Sequence, residues 1–139
     1  VDYYDNFFSE DLCGTCTECI DQCPTDAIIE PYLLDSKKCI SYLTIEHRKD
    51  FNIDNNVDLN GWIYGCDICQ EVCPWNKKFS SVTNFENFYP REKINEKSFN
   101  DWNRLDEAEF KKLFKNSAVK RTKYVGLKRN INNAKKNKH

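Results

Sequence analysis

The stretch that decides the fold is CGTCTECIDQCPTDAI, residues 13–28. Cys13, Cys16, Cys19 and Cys23 fall there within eleven residues, and Pro24 follows at once. Four thiols could complete one metal site by themselves. The 139-residue chain nevertheless holds eight cysteines, the others being Cys39, Cys66, Cys69 and Cys73. An internal repeat relates the two groups. Fifty residues on, Cys16, Cys19, Cys23 and Pro24 recur as Cys66, Cys69, Cys73 and Pro74, so both copies read C-x2-C-x3-C-P. The partner of Cys13 in the second copy is not a cysteine but Ile63.

With Cys13 in front, the first copy becomes C-x2-C-x2-C-x3-C-P, the run of bacterial two-cluster ferredoxins. In that run the first three cysteines hold one cluster and the fourth reaches the other. Tight turns gather three thiolates about one cubane. The x3-C-P step carries the fourth sulfur off in a new direction, where proline ends the turn. Cluster one then takes Cys13, Cys16, Cys19 and Cys73. Cluster two takes Cys23, Cys66 and Cys69 and is one ligand short because of Ile63; Cys39, the thiol left over, closes the set. Two other uses of cysteine weigh less. Zinc would need two all-cysteine tetrahedral sites and favours C-x2-C pairs separated by a loop over a continuous triple run. Disulfides would have to join neighbouring C-x2-C thiols in a chain with no secretory mark. Ligands spread over sixty residues are tied together only when iron is bound, so the apo form is expected to be largely disordered.

The totals agree with a fold that needs such a staple. Hydrophobic residues make up 40% and charged residues 31%, which is thin for an apolar core. No membrane-length apolar run or secretory segment is present, so a cytoplasmic protein without membrane contact is expected. The chain starts at Val1 and has no methionine, which reads as a piece of something longer. Its net charge of −1 conceals an asymmetry: residues 1–110 carry 10 Lys and Arg against 22 Asp and Glu, whereas residues 111–139 carry 11 and none. A basic tail after an acidic body suits contact with a polyanion, and equally a solvated terminus.

Periodicity and turn residues divide the chain into a lead-in (1–12), a ferredoxin-like module for two 4Fe-4S clusters (13–80) and a helical C-terminal region with a basic tail (81–139). The class is α+β, mostly helical. A helix is expected over 37–51, with Ile40, Leu43, Thr44 and Ile45 on its apolar face. A polar loop should follow over 52–62 and an irregular segment to about Ser98. A second helix is expected over 104–117, then a tail helical to about Asn130 and disordered beyond. His47 reads as a surface or packing residue, surplus to the ligand count. Trp75, Trp62 and Tyr64 would shield the clusters or simply pack.

Four segments together resemble the epoxyqueuosine reductases: residues 13–28, LDSKKCISYLTIEHR (34–48), IYGCDICQEVCPWN (63–76) and FKNSAVKRTKYVGLKRN (114–130). The resemblance implies reduction of epoxyqueuosine to queuosine at the wobble position of tRNA by cobalamin and two 4Fe-4S clusters. It implies the same ligand sharing, the isolated cysteine included. Opening an epoxide to an alkene consumes two electrons and each cluster delivers one; a cobalt centre beside such a relay can take the electrons and act on the substrate carbon. The upstream half, where the family binds most of its corrinoid and places its acidic proton donor, is missing from this sequence, so no residue is assigned as a catalytic acid. By the resemblance, Ser41, Arg48, Cys66 and Asp67 would approach the corrinoid. For Ser41 and Asp67 turn or cap roles stand beside this, and for Arg48 a solvated helix position. Lys120, Arg121, Lys123, Lys128 and Arg129, interleaved with Tyr124, would contact tRNA phosphates, a solvated helix face being the alternative. An unidentified electron donor and a monomer complete the expectation. Two other readings remain: a free-standing two-cluster ferredoxin, which would need little after Cys73, and another cobalamin-linked reductase.

Overall fold

The fifty-residue repeat is also a repeat of backbone. In a computed structural model of the chain, helix α1 spans Glu18–Asp21 and helix α3 spans Ile68–Glu71, the same bounds offset by fifty. Their N-caps, Thr17 and Asp67, adopt nearly the same conformation (φ −118°, ψ 5° and φ −112°, ψ 13°). The structure describes residues 12–51, 57–89 and 91–136. The lead-in apart from Leu12, and the first part of the polar loop, lie outside the described residues.

Between the two copies run a two-stranded antiparallel sheet, β1 (Ile28–Glu30) with β2 (Leu33–Leu34), and helix α2 (Ile40–Ile45). After α3 come α4 (Pro74–Phe79), a 3-10 turn (Glu86–Phe88), α5 (Glu92–Asn95), α6 (Phe99–Arg104) and α7 (Glu107–Leu113). A second 3-10 segment, Ala118–Thr122, leads into the longest helix, α8 (Lys123–Lys136). About half of the described residues are thus helical, with one small sheet. Helices α1 and α3 pack together, and α8 packs on α2, α6 and α7.

Three sequence-based boundaries are corrected. The helix expected over 37–51 is confined to Ile40–Ile45. Cys39 caps it with extended geometry (φ −67°, ψ 120°), and beyond Ile45 the backbone turns away because the carbonyls of Leu43, His47 and Lys49 accept from Arg129. The helix expected over 104–117 is confined to α7, Glu107–Leu113: α6 ends at Arg104 with Leu105 as its cap, and Asp106 accepts from the Glu109 N–H and starts α7 afresh. The tail does not end its helix at Asn130. Leu127, Ile131 and Ala134 recur at helical spacing and are buried, so α8 continues to Lys136.

Two apolar clusters form the interior. One joins Leu105, Phe110 and Phe114 to Leu127 and Ile131, with Ile63, Tyr64 and Trp102 packed around them. The other is Ile40, Leu43 and Leu59, with Phe51, Trp62 and Cys66 against it. Tyr64 therefore packs against the C-terminal cluster, and Trp62 against the cluster that includes Cys66.

Candidate metal centre

The eight thiols are distributed between two cavities. The first, about 300 Å³, is lined by Cys13, Cys16, Cys19 and Cys73, together with Pro74 and Trp75. The second, about 320 Å³, is lined by Cys23, Cys39, Cys66 and Cys69, with Ala27, Ile28 and Ile40 among its apolar walls. Cys69 and Ile28 stand in both walls, so the cavities adjoin. Cys39, distant from the other seven in sequence, stands with Cys23, Cys66 and Cys69 in the wall of the second cavity. None of the eight forms a disulfide. Among the described residues, no three Cys, His, Asp or Glu side chains are placed to hold a single metal ion. A mononuclear site draws its thiolates to about 2.3 Å from one centre. Cavities of about 300 and 320 Å³, each walled by several thiols, leave room for a polynuclear cluster.

Local geometry explains how short elements aim the sulfurs. Gly14, at φ +52°, permits the tight turn in which the Cys16 N–H donates to the Cys13 carbonyl (2.9 Å). One turn of α1 then presents Cys19, and α3 presents Cys69 in the same way. Cys73 and Cys39 occupy equivalent positions, each an extended N-cap (ψ 120°) before a six-residue helix. Pro74 at the first helical position fixes the exit from Cys73. Trp75 stacks on Phe79 (centroids 5.2 Å apart) and donates its indole N–H to the Leu12 carbonyl (2.6 Å), closing one side of the first cavity.

The second cavity is electrostatically uneven. Burial pushes the Cys23 thiol up. The backbone N–H groups of Thr25, Ala27 and Ile28 and the Thr25 hydroxyl outweigh it, leaving the thiol below its ordinary value. The Ala27 N–H lies 3.3 Å from Cys23 Sγ. Burial pushes the Cys66 thiol up, and the neighbouring sulfurs of Cys69, Cys39 and Cys23 add to that. A set of thiolates that repel one another in this way is stabilised by a cationic centre among them.

The other candidate residues are not gathered in one place. Cys66 lines the second cavity, and Asp67 sits exposed at the start of α3. Ser41 is half-buried in α2, where its carbonyl accepts from the Thr44 hydroxyl. Arg48 donates to the Arg121 carbonyl (2.8 Å) and faces Glu46 (3.7 Å). In the basic tail, Lys120, Arg121 and Lys123 are exposed, and Arg121 is ion-paired to Glu46. Lys128 reaches the carbonyls of Asn103 and Leu105. Arg129 is turned inward: it donates to the carbonyls of His47 (2.8 Å), Lys49 (2.7 Å) and Leu43 (2.9 Å) and lies 4.3 Å over the Phe51 ring. His47 stacks on Phe51 at 5.6 Å. What the sequence reading missed is Asn130, a fully buried amide whose advance signal was its place beside Leu127, Ile131 and Ala134, which share the buried side of the helix.

Residues 12–76 match the family described as a 4Fe-4S double cluster binding domain. The chain is an iron–sulfur protein. Its similarity is to the epoxyqueuosine reductases: it is 54% identical over 121 residues to the epoxyqueuosine reductase of Leadbetterella byssophila, covering 87% of this chain and 39% of the relative. It is 50% identical over 128 residues to that of Cyclobacterium marinum, covering 92% and 40%. A crystal structure of selenomethionine-labelled epoxyqueuosine reductase superposes with TM-score 0.78 at 31% identity, over 91% of this chain and 33% of that one. A second structure, of epoxyqueuosine reductase with an epoxyqueuosine-modified tRNA-Tyr stem loop, gives TM-score 0.71 at 29% identity, over the same shares. The chain spans about two fifths of the length of these curated relatives.

Proposed function

We propose that the chain is the electron-relay part of an epoxyqueuosine reductase, with one 4Fe-4S cluster held by Cys13, Cys16, Cys19 and Cys73 and another by Cys23, Cys39, Cys66 and Cys69. The observation that carries the reading is the gathering of the eight thiols around two adjoining cavities, with Cys13, Cys16, Cys19 and Cys73 in the wall of one, Cys23, Cys39 and Cys66 in the wall of the other, and Cys69 between them. Each cluster would supply one electron at a time at a potential set by hydrogen bonds to sulfur and by burial. The protein's own part is to fix the two sites side by side, to keep water out with Trp75, Ile28 and Ile40, and to stabilise negative charge at Cys23 through the Ala27 N–H.

The reading extends to the substrate and partners. The whole enzyme would reduce epoxyqueuosine in tRNA with cobalamin as its second redox group, held chiefly outside this chain. Ser41, Cys66 and Asp67 would face it; Arg48 supports that face through Glu46 and Arg121 rather than projecting from it. Lys120, Arg121 and Lys123 are the exposed cations that would meet tRNA phosphate. A one-electron donor, a monomeric state and a cytoplasmic location belong to the same proposal. Among the described residues no helix is long and apolar enough to cross a membrane.

The test is anaerobic reconstitution with iron and sulfide, followed by assay of the full-length protein on epoxyqueuosine-containing tRNA. About eight irons per chain and conversion to queuosine are expected. Four irons, or eight irons without conversion, would refute the cluster count or the substrate respectively.

A further inference from the structure

Thr44 is the point at which three distant segments meet. It is fully buried in α2. Its hydroxyl donates to the Ile40 carbonyl (2.8 Å) and accepts the Gly65 N–H (3.0 Å). Its carbonyl accepts from the Thr122 hydroxyl (2.9 Å) and from the Asn130 amide (2.8 Å). The Asn130 amide also donates to the Ile63 carbonyl (3.0 Å), and its oxygen accepts two bonds from the Arg129 guanidinium (3.1 and 2.9 Å). A buried network in which each member is satisfied is stiff, and one left half-satisfied is costly.

The position of this network matters more than its strength. Cys39 is the cap of α2, the helix whose Thr44 is held. Ile63 and Gly65 immediately precede Cys66. The bonds from Asn130 to Thr44 and Ile63, and from Gly65 to Thr44, therefore span from the segment bearing Cys39 to the segment bearing Cys66. Nothing local does this for Cys39, which stands alone in the sequence, whereas Cys13, Cys16 and Cys19 are placed by one continuous run. Resting on the ligand reading above, we propose that Thr44 and Asn130 are positioning residues for the second cluster: they set the separation of Cys39 from Cys66 and act on that cluster selectively. The C-terminal helix is thereby part of the iron–sulfur scaffold.

The experiment uses anaerobically purified, cluster-loaded protein and the variants Thr44→Val, Thr44→Ser and Asn130→Ala. Thr44→Val keeps the shape and leaves the Gly65 N–H unpaired beside Cys66; Thr44→Ser keeps the hydroxyl. Three quantities are read: iron per chain, the rate of iron loss to a chelator, and the midpoint potential of each cluster. In Thr44→Val and Asn130→Ala, four irons should leave about tenfold faster than in wild type and four at the wild-type rate. One potential should shift while the other stays, and Thr44→Ser should behave as wild type. Loss of all eight irons together, or wild-type rates and potentials in both variants, would overturn the proposal. A wild-type chain that never holds eight irons overturns the ligand reading first and the proposal with it.

Discussion

Replacing Arg129 separates two roles that the sequence alone leaves confounded. As a phosphate contact, Arg129 would affect RNA binding and leave the fold alone. As placed, it donates to the carbonyls of Leu43, His47 and Lys49 and to Asn130 Oδ1, with Phe51 beneath it. Burial lowers its pKa, Asp50 and Arg48 act in opposite senses, and the group stays charged at neutral pH. A hydrogen bond from a charged donor contributes about 1.5–3 kcal/mol when buried. The half-buried setting and the freedom of the surface carbonyls to turn to water reduce the sum, and a cation over a ring adds about 1 kcal/mol. For Arg129→Met a loss of about 3 kcal/mol is expected, a large part of a domain's usual 5–15 kcal/mol. In urea that is a fall in midpoint of about 1–2 M for the cluster-loaded protein. Arg129→Lys should lose most of the same amount, because an ammonium cannot fork across several carbonyls. The salt dependence of tRNA binding should be unchanged. A midpoint within about 0.2 M of wild type, with a flattened salt slope, would refute the reasoning and return Arg129 to the phosphate surface.

Gly126→Ala should destabilise the protein even though alanine is favoured over glycine in a helix by about 1 kcal/mol. A Cβ there would stand 2.7 Å from the Thr122 hydroxyl, which is bonded to the Thr44 carbonyl. Thr122→Ala in the same chain should relieve the clash, and urea midpoints of the single and double variants check it. The stability profile should slope near pH 6. Burial, then the Arg129 charge, holds the His47 pKa below its ordinary 6.5. The unfolded chain therefore binds the proton first as pH falls below 6.5, and stability declines from there until the folded imidazole also titrates. His47→Gln should flatten that part of the curve, and an unchanged slope would rule the residue out as its source.

The doubled frame of the cysteine region was legible in the sequence because spacing is local information: C-x2-C-x3-C-P dictates its own turns, and the offset of fifty carries over to the bounds of α1 and α3. The end of α2 was not legible, since it depends on a partner more than seventy residues away. Residues 46–50, EHRKD, hold no glycine or proline that would mark the end of α2 in the sequence. What stops the helix is Arg129, which takes carbonyls that the next turn would have used. The tail misled for a related reason. Counting Lys and Arg after residue 110 treats each as solvated, yet Lys128 and Arg129 are spent on backbone carbonyls. The Leu127, Ile131 and Ala134 stripe was present all along beneath the charge. Asp106 before Glu109, a cap signal inside an apparently continuous helix, could have divided α6 from α7.

Position 63 shows why the lost symmetry of the repeat is not reversible by restoring a thiol. Ile63 replaces the expected fourth ligand of the second copy. Its side chain packs against Leu105, Phe110, Phe114, Leu127 and Ile131, and its carbonyl accepts from Asn130. Position 63 is thus the attachment point of the C-terminal helix, and Cys39, the replacement ligand under the proposed sharing, caps the helix that the same Asn130 holds. A ferredoxin-like cluster would need position 63 turned toward the second cavity, and turning it would empty part of the C-terminal core. A chain carrying both Ile63→Cys and Cys39→Ala should therefore hold about four irons, no more than Cys39→Ala alone. It should also be less stable by about 1–2 kcal/mol for the smaller side chain. Recovery of eight irons in the double variant would show that the two ligand geometries are interchangeable, and that the C-terminal helix is not what commits the second cluster to Cys39.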